Sequence, residues 1–175
     1  MPIGNNIRFQ TASGLLTVTN DGGFYTMDFP VDLAEESEAP PALVVSLGVT
    51  PTWVGRNRLD YVVELVSDDA VCWLTPDPQA LMEVPGRGVI VTAPSSDPAF
   101  DYVCRVFGPK VGILEDPVTG SAQCTLGPYW AVKLRQTRLT AYQCSRRGGQ
   151  LIVNPTGDRV RISGQAVTTT AGEFR

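Results

Sequence analysis

The stretch EDPVTGSAQCTLGPYW, residues 115–130, changes the periodicity of the chain. From Pro117 to about Leu134, Cys124, Leu126, Tyr129, Trp130, Val132 and Leu134 cover most of a helical circumference. A helix that is apolar nearly all round belongs inside a core rather than on a surface. Gly127-Pro128 should cost helix stability, but the segment carries no other turn signal. The spacing therefore predicts one mostly buried helix over 117–134. Two acids, Glu115 and Asp116, precede Pro117 at its entrance, followed by the small residues Thr119, Gly120, Ser121 and Ala122.

On either side of this helix the pattern is that of strands. Residues 7–11 and 15–18 flank a turn at Ser13-Gly14, and 24–29 follow the turn Asn20-Asp21-Gly22-Gly23. Residues 31–41 are acidic and proline-bearing and read as a linker. Residues 42–47 fit a short helix, with prolines before it and Gly48 after it. Strands are predicted over 60–66, 70–74, 88–93 and 100–107, with a one- or two-turn helix over 78–83. Further strands are expected over 140–144, 150–153, 159–163 and 166–170. The sum is an α+β chain of many antiparallel strands around one buried helix.

Composition narrows the function. The 175 residues are 43% hydrophobic and 18% charged, with a net charge of −4, as in ordinary soluble globular proteins. That balance argues against nucleic acid or an anionic membrane as partner, since either needs a concentrated basic face. The only basic cluster, Arg146-Arg147, reads as a solvated turn. No run approaches the roughly 20 apolar residues that span a bilayer. The start, MPIGNNIRFQ, lacks the apolar core of a signal peptide, so a cytoplasmic location is expected. Cys72, Cys104, Cys124 and Cys144 are widely spaced and read as reduced thiols. The chain contains no histidine. A Ser-His-Asp triad, a His-ligated zinc site and His-based proton transfer are excluded within it. Acid–base chemistry must use carboxylates, cysteines, lysines or tyrosines.

The entrance to the helix admits two readings. Helix N-termini present unpaired N–H groups and about half a positive charge, so they bind carboxylates and stabilise developing oxyanions. Small residues at 119–121 leave those amides accessible, and Asp116 beside them could move a proton. Alternatively Asp116 and Thr119 cap the helix. Capping does not account for two acids before a proline, nor for Gly-Ser-Ala where stronger helix formers would serve.

Six stretches occur in order along nearly the whole chain: FQTASGLLTV (9–18), YTMDFP (25–30), RGVIVTA (87–93), EDPVTGSAQC (115–124), PYW (128–130) and SRRGGQL (145–151). Together they resemble the phenazine-biosynthesis PhzF-like family. The resemblance implies the fold of diaminopimelate epimerase, two similar domains that each wrap a barrel-like set of strands around a central helix, with the active site between them. On that pattern residues 1–30 are remnant strands of the first domain, 31–164 form the second domain, and 165–175 are a strand returning to the first-domain side. The implied activity is a cofactor-independent isomerase or epimerase acting on a small carboxylate-bearing molecule. Asp116 matches the family's second-domain acid and Ser121 its proton-relay or substrate-holding hydroxyl. Thr119, Gly120, Ser121 and Ala122 would hold the substrate carboxylate. The amino-acid epimerase relatives carry cysteine where Asp116 stands, so two-thiol racemisation is not expected. Gln123 replaces the usual histidine or asparagine and is expected to tune rather than abolish function.

The family's asparagine-leucine-serine-glutamate motif, with its principal catalytic glutamate, has no counterpart in this sequence, and neither does its cysteine-glycine-histidine motif. The expectation is a truncated member, catalytically weak or inactive alone, that pairs its exposed strand edges with a second copy as a homodimer or a strand-exchanged dimer. The alternative is a non-catalytic domain that binds small anions.

Overall fold

The computed structural model describes residues 6–11 and 14–173; of the expected turn at Ser13-Gly14, Ser13 lies outside the described residues. The chain runs β1 (Asn6–Thr11), β2 (Gly14–Asp21), β3 (Phe24–Pro30), β4 (Glu35–Glu36), α1 (Pro41–Leu47), β5 (Trp53–Arg56), β6 (Asp60–Glu64), α2 (Asp68–Cys72), α3 (Pro78–Glu83), β7 (Gly88–Pro94) and β8 (Tyr102–Gly108). A 3-10 turn at Pro109–Val111 leads to β9 (Ile113–Asp116), α4 (Gly120–Leu134), β10 (Leu139–Gln143), β11 (Gly149–Thr156) and β12 (Arg159–Gln165).

The strands make one mixed sheet of 12, in the order β1-β2-β3-β12-β11-β10-β8-β7-β6-β5-β4, with β9 attached to β8. Pairs β6–β7 and β8–β10 are parallel and the others antiparallel. The expected barrel-like closure does not form. Closure requires the end strands to exchange hydrogen bonds, whereas β1 pairs with β2 and the two-residue β4 with β5, so the sheet is open.

The central helix is as expected: Ala122 through Gly127 and Trp130 of α4 are buried. It lies on one face of the sheet, and its core includes Val62, Ile90, Tyr102, Cys104, Val153 and Ile162. On the other face Tyr61, Val63, Val89, Val91 and Val103 meet Leu43 and Leu47 of α1, Val71 of α2 and Leu81 of α3. Alternate residues of β6, β7 and β8 thus serve opposite cores, which is why these strands read as continuous apolar runs.

Two features fit α4 to the sheet. A Cβ on Gly127 would stand 2.7 Å from Val153 Cγ1, so glycine permits the close approach. Pro128 cannot donate to the Cys124 carbonyl; the Asp32 amide, just after β3, donates there instead at 3.2 Å. Thr125 Oγ1 returns a bond to the Asp32 carbonyl at 2.6 Å.

Several sequence expectations fail locally. Residues 70–74 are not a strand but the end of α2 and its exit. Ser67 caps α2 by accepting from the Ala70 amide, and Asp68 and Asp69 occupy its first turn. Residues 166–173 form no strand, since β12 ends at Gln165. The linker contains β4, and α4 begins at Gly120 rather than Pro117 because β9 runs on through Asp116.

Candidate functional site

β9 delivers Asp116 to the edge of β8, opposite Val106, across a register shift between Val106 and Gly108. A three-residue turn then enters α4. This turn is held from below by the fully buried Gln143 at the end of β10. Gln143 Oε1 accepts from the Thr119 amide at 2.8 Å, and its Nε2 donates to the Asp116 carbonyl at 2.7 Å and to Thr119 Oγ1 at 3.1 Å. Ser145 Oγ donates to the Pro117 carbonyl at 2.7 Å and accepts from the Gly148 amide at 3.1 Å. Gly148 adopts φ +72, and a Cβ on Gly149 would strike Val118 at 2.3 Å. The SRRGGQL stretch is therefore the cradle of the Asp116 loop.

Thr119 is the N-cap residue of α4, but its side chain makes no capping bond. Its hydroxyl instead donates to Asp116 Oδ2 at 2.5 Å. Gly120, Ser121 and Ala122 are the first three helical residues, whose amides have no partner within the helix. The structure brings together most of the expected site: Asp116, Thr119 and Ser121 line one cavity of about 160 Å³. Ser121 is exposed and Gly120 half-buried, whereas the Ala122 side chain is buried in the core, leaving only its amide for a ligand. The Thr119 amide is committed to Gln143 and cannot also bind a ligand.

A second cavity of about 240 Å³ adjoins the first, and Asp60, Arg87 and Ser121 line both. Arg87 Nε donates to Asp60 Oδ1 at 2.9 Å, and Nη2 makes a second bond to Oδ2. Those bonds hold the guanidinium above its ordinary pKa, with the charges of Asp60, Asp32 and Asp116 adding to the effect. Asp60 is buried, and its amide donates to Asn57 Oδ1 at 2.7 Å. Asn57 Nδ2 donates to Thr125 Oγ1 of α4 at 2.7 Å. Arg87 is fixed in turn by its amide on the Leu59 carbonyl at 2.7 Å, between Gly86 at φ +94 and Gly88. A Cβ on Gly88 would stand 2.4 Å from the Phe107 carbonyl.

This ordered set of motifs folded around one acid and one helix start has close counterparts. A family model described as phenazine biosynthesis-like protein, PhzC-PhzF, matches residues 4–172. The chain belongs to the phenazine biosynthesis-like family. It is 44% identical over 169 residues to an uncharacterized isomerase of Halalkalibacterium halodurans, covering 96% of this chain and 64% of that protein. An uncharacterized isomerase of Pseudomonas aeruginosa is 43% identical over 166 residues, covering 95% of this chain and 63% of the relative. The crystal structure of a PhzF-family phenazine biosynthesis protein from Enterococcus faecalis superposes with a TM-score of 0.87 at 39% identity, over 94% of this chain and 63% of that one. The chain thus spans just under two thirds of the length of these family members.

Other family-motif residues have structural duties. Glu115 does not face the Asp116 cavity; it pairs with Arg105, whose Nε donates to Glu115 Oε1 at 2.7 Å. The same guanidinium donates to the Val71 and Leu74 carbonyls, completing the C-terminal end of α2. Gln123 is buried in the core, accepting from the Tyr102 hydroxyl at 2.6 Å. Burial pushes the Cys104 thiol up to about 12 and that of Cys124 to about 11, so both stay protonated at neutral pH. No group of three or more Cys, Asp or Glu among the described residues is arranged to hold a metal. No helix among them is long and apolar enough to cross a membrane.

Sequence reading missed Gln143, Asn57 and the Arg87–Asp60 pair. Arg87 stood in a quoted motif, but nothing in RGVIVTA indicates that its side chain turns toward α4. Gln143 ends an ordinary alternating strand, and only the fold places it beneath residue 119.

Proposed function

We propose that this chain forms the Asp116 wall of a cofactor-independent isomerase of small carboxylate-bearing molecules, in the two-domain diaminopimelate epimerase-like arrangement that its motifs imply. The observation that carries this reading is the shared cavity of Asp116, Thr119 and Ser121 at the start of α4. The substrate carboxylate lies against the Gly120–Ala122 amides and the Ser121 hydroxyl. Asp116, steadied by Thr119 Oγ1, takes a proton from the adjacent carbon. The negative charge that develops on the carboxylate-bearing fragment is stabilised by the same amides, where the helix dipole is most positive. Asp116 then returns the proton at a different position, or a second acid supplies it.

A second reading, a carboxylate-binding domain without turnover, is favoured by one observation. Of the two carboxylates in this cavity, Asp60 is paired to Arg87, leaving Asp116 as the only acid there without a basic partner among the described residues. Inversion at carbon needs a group on each face. A second copy of this chain belongs to the same proposal. It is supported by the edge of β1, which pairs only with β2 among the described residues, and by the exposure of Phe9 and Leu15. Light scattering at micromolar concentration tests it, and a clean monomer would rule it out.

Deuterium incorporation from heavy water into a panel of small carboxylic acids, read by mass spectrometry, separates the two readings. Incorporation that Asp116→Asn abolishes supports the isomerase. Binding that survives the substitution, with no incorporation by either protein, supports the binding domain. Unimpaired exchange in Asp116→Asn refutes the role given to Asp116.

A further inference from the structure

The Asp116 cavity presents an electrostatic difficulty for an anionic ligand. Its charged lining consists of Asp60, Asp116 and Arg87, two carboxylates to one guanidinium. The adjoining cavity adds Asp32, whose carboxylate makes no hydrogen bond or ion pair within the described residues, and the exposed Arg58, which does not reach the Asp116 cavity. The first turn of α4 contributes about half a positive charge, too little by itself to offset such neighbours. Arg87 is the one basic side chain lining both cavities, and it shares each of them with Ser121.

The guanidinium is directed by geometry as well as charge. Nε and Nη2 are engaged with the two oxygens of Asp60. Nη1 makes no bond to any described residue, and about a third of the side chain remains exposed. A planar fork pinned along one edge presents its remaining N–H groups in a fixed direction. Asp60 is itself immobile: it is 2% exposed, and its turn is tied through Asn57 to Thr125 of α4. The helix that offers the amides therefore also anchors the turn that aims the arginine.

We propose that Arg87 is a second receptor for the ligand carboxylate, forming a clamp with the first turn of α4, and that Asp60 and Asn57 are positioning residues that aim its free Nη1. The proposal rests on the carboxylate site described above and adds a specificity determinant. A carboxylate with both oxygens free spans the clamp; an ester or amide of the same acid loses the arginine's contribution.

Trifluoroacetate, titrated into the whole chain and followed by fluorine NMR, is a suitable probe. Arg87→Met alone would strand the buried Asp60 charge, at a cost that could unfold the chain. The decisive variant is therefore Arg87→Met combined with Asp60→Asn, which removes both members of the pair. It also removes one repelling carboxylate, so any loss of affinity understates the role of Arg87. Binding at least tenfold weaker in this double variant, and several-fold weaker in Arg87→Lys, is the expected result. Gly120→Val supplies the second arm by obstructing the amides. Binding lost in Gly120→Val but unchanged in the double variant overturns the arginine clamp and leaves the helix site standing. Binding unaffected by Gly120→Val, or absent from the unaltered chain, overturns the carboxylate site itself and the clamp with it.

Discussion

Replacing Gln143 with leucine tests what holds the site together. The two side chains are similar in volume, so the fully buried position stays filled. Three hydrogen bonds disappear: from the Thr119 amide, to the Asp116 carbonyl and to Thr119 Oγ1. Two of these satisfy backbone groups in a half-buried turn, each costing about 1–1.5 kcal/mol when stranded, the low end of the range for buried groups. The third bond adds about half a kcal/mol, because Thr119 Oγ1 keeps its bond to Asp116. The total of about 3 kcal/mol corresponds to a fall in Tm of about 6–12 °C for a domain of this size. The loss is also local. Hydrogen exchange at the Thr119 amide should rise sharply, while strands such as β7 keep their protection relative to the new global stability. Carboxylate binding should weaken about tenfold, because the start of α4 and Asp116 no longer share a fixed frame. A Tm within about 2 °C of the original, with Thr119 exchange unchanged, would refute the idea that Gln143 sets the loop.

Arg105→Met leaves Glu115 and the α2 carbonyls without their partner and should destabilise by about 3–5 kcal/mol, read by urea unfolding; a loss under about 1 kcal/mol contradicts its bridging role. Gly127→Ala adds a Cβ 2.7 Å from Val153 Cγ1, so overpacking of about 1–3 kcal/mol outweighs a helix-propensity gain of about 1 kcal/mol. A Tm that rises in this variant means α4 does not sit as close to β11 as described. Stability should fall with alkaline pH. The thiols of Cys104 and Cys124, raised by burial to about 12 and about 11, keep their protons in the folded state while the unfolded chain releases them from about pH 9 upward. A urea midpoint at pH 10.5 no lower than that at pH 8 contradicts their burial, as does rapid labelling of either thiol by a disulfide reagent in the native protein at neutral pH.

The parts of the fold that local pattern controls were readable in advance. The period change at residue 117 locates α4, because a helix surrounded by core must be apolar on all sides. The alternation of β10, β11 and β12 does the same for one half of the sheet. Residues 70–74 misled because Ala-Val-Cys-Trp-Leu is equally apolar as strand or helix, and the deciding signal was Ser67 with two acids behind it. Sheet closure was not readable, since it depends on which strands meet at the ends. In the site, Asp116 and Ser121 stand out because an acid and small residues at a helix start either cap it or serve a ligand, and the ordered motifs around them favour the second use. Gln143, Asn57 and Arg87 do not, because each acts on residues 24 to 68 positions away.

The bond from the Asp32 amide to the carbonyl that Pro128 leaves open makes part of α4 dependent on a segment more than 90 residues earlier. The helix is consequently unfinished until β3 has been laid down and its exit has docked. Insertions in the chain after Asp32 disturb at most the two-residue β4 at the end of the sheet and its neighbours, leaving the bond to α4 in place. An insertion between Phe29 and Asp32 would shift the register of a bond the helix cannot make for itself. A library of single-residue insertions across 29–40, scored by stability, should therefore show its steepest loss between Phe29 and Asp32.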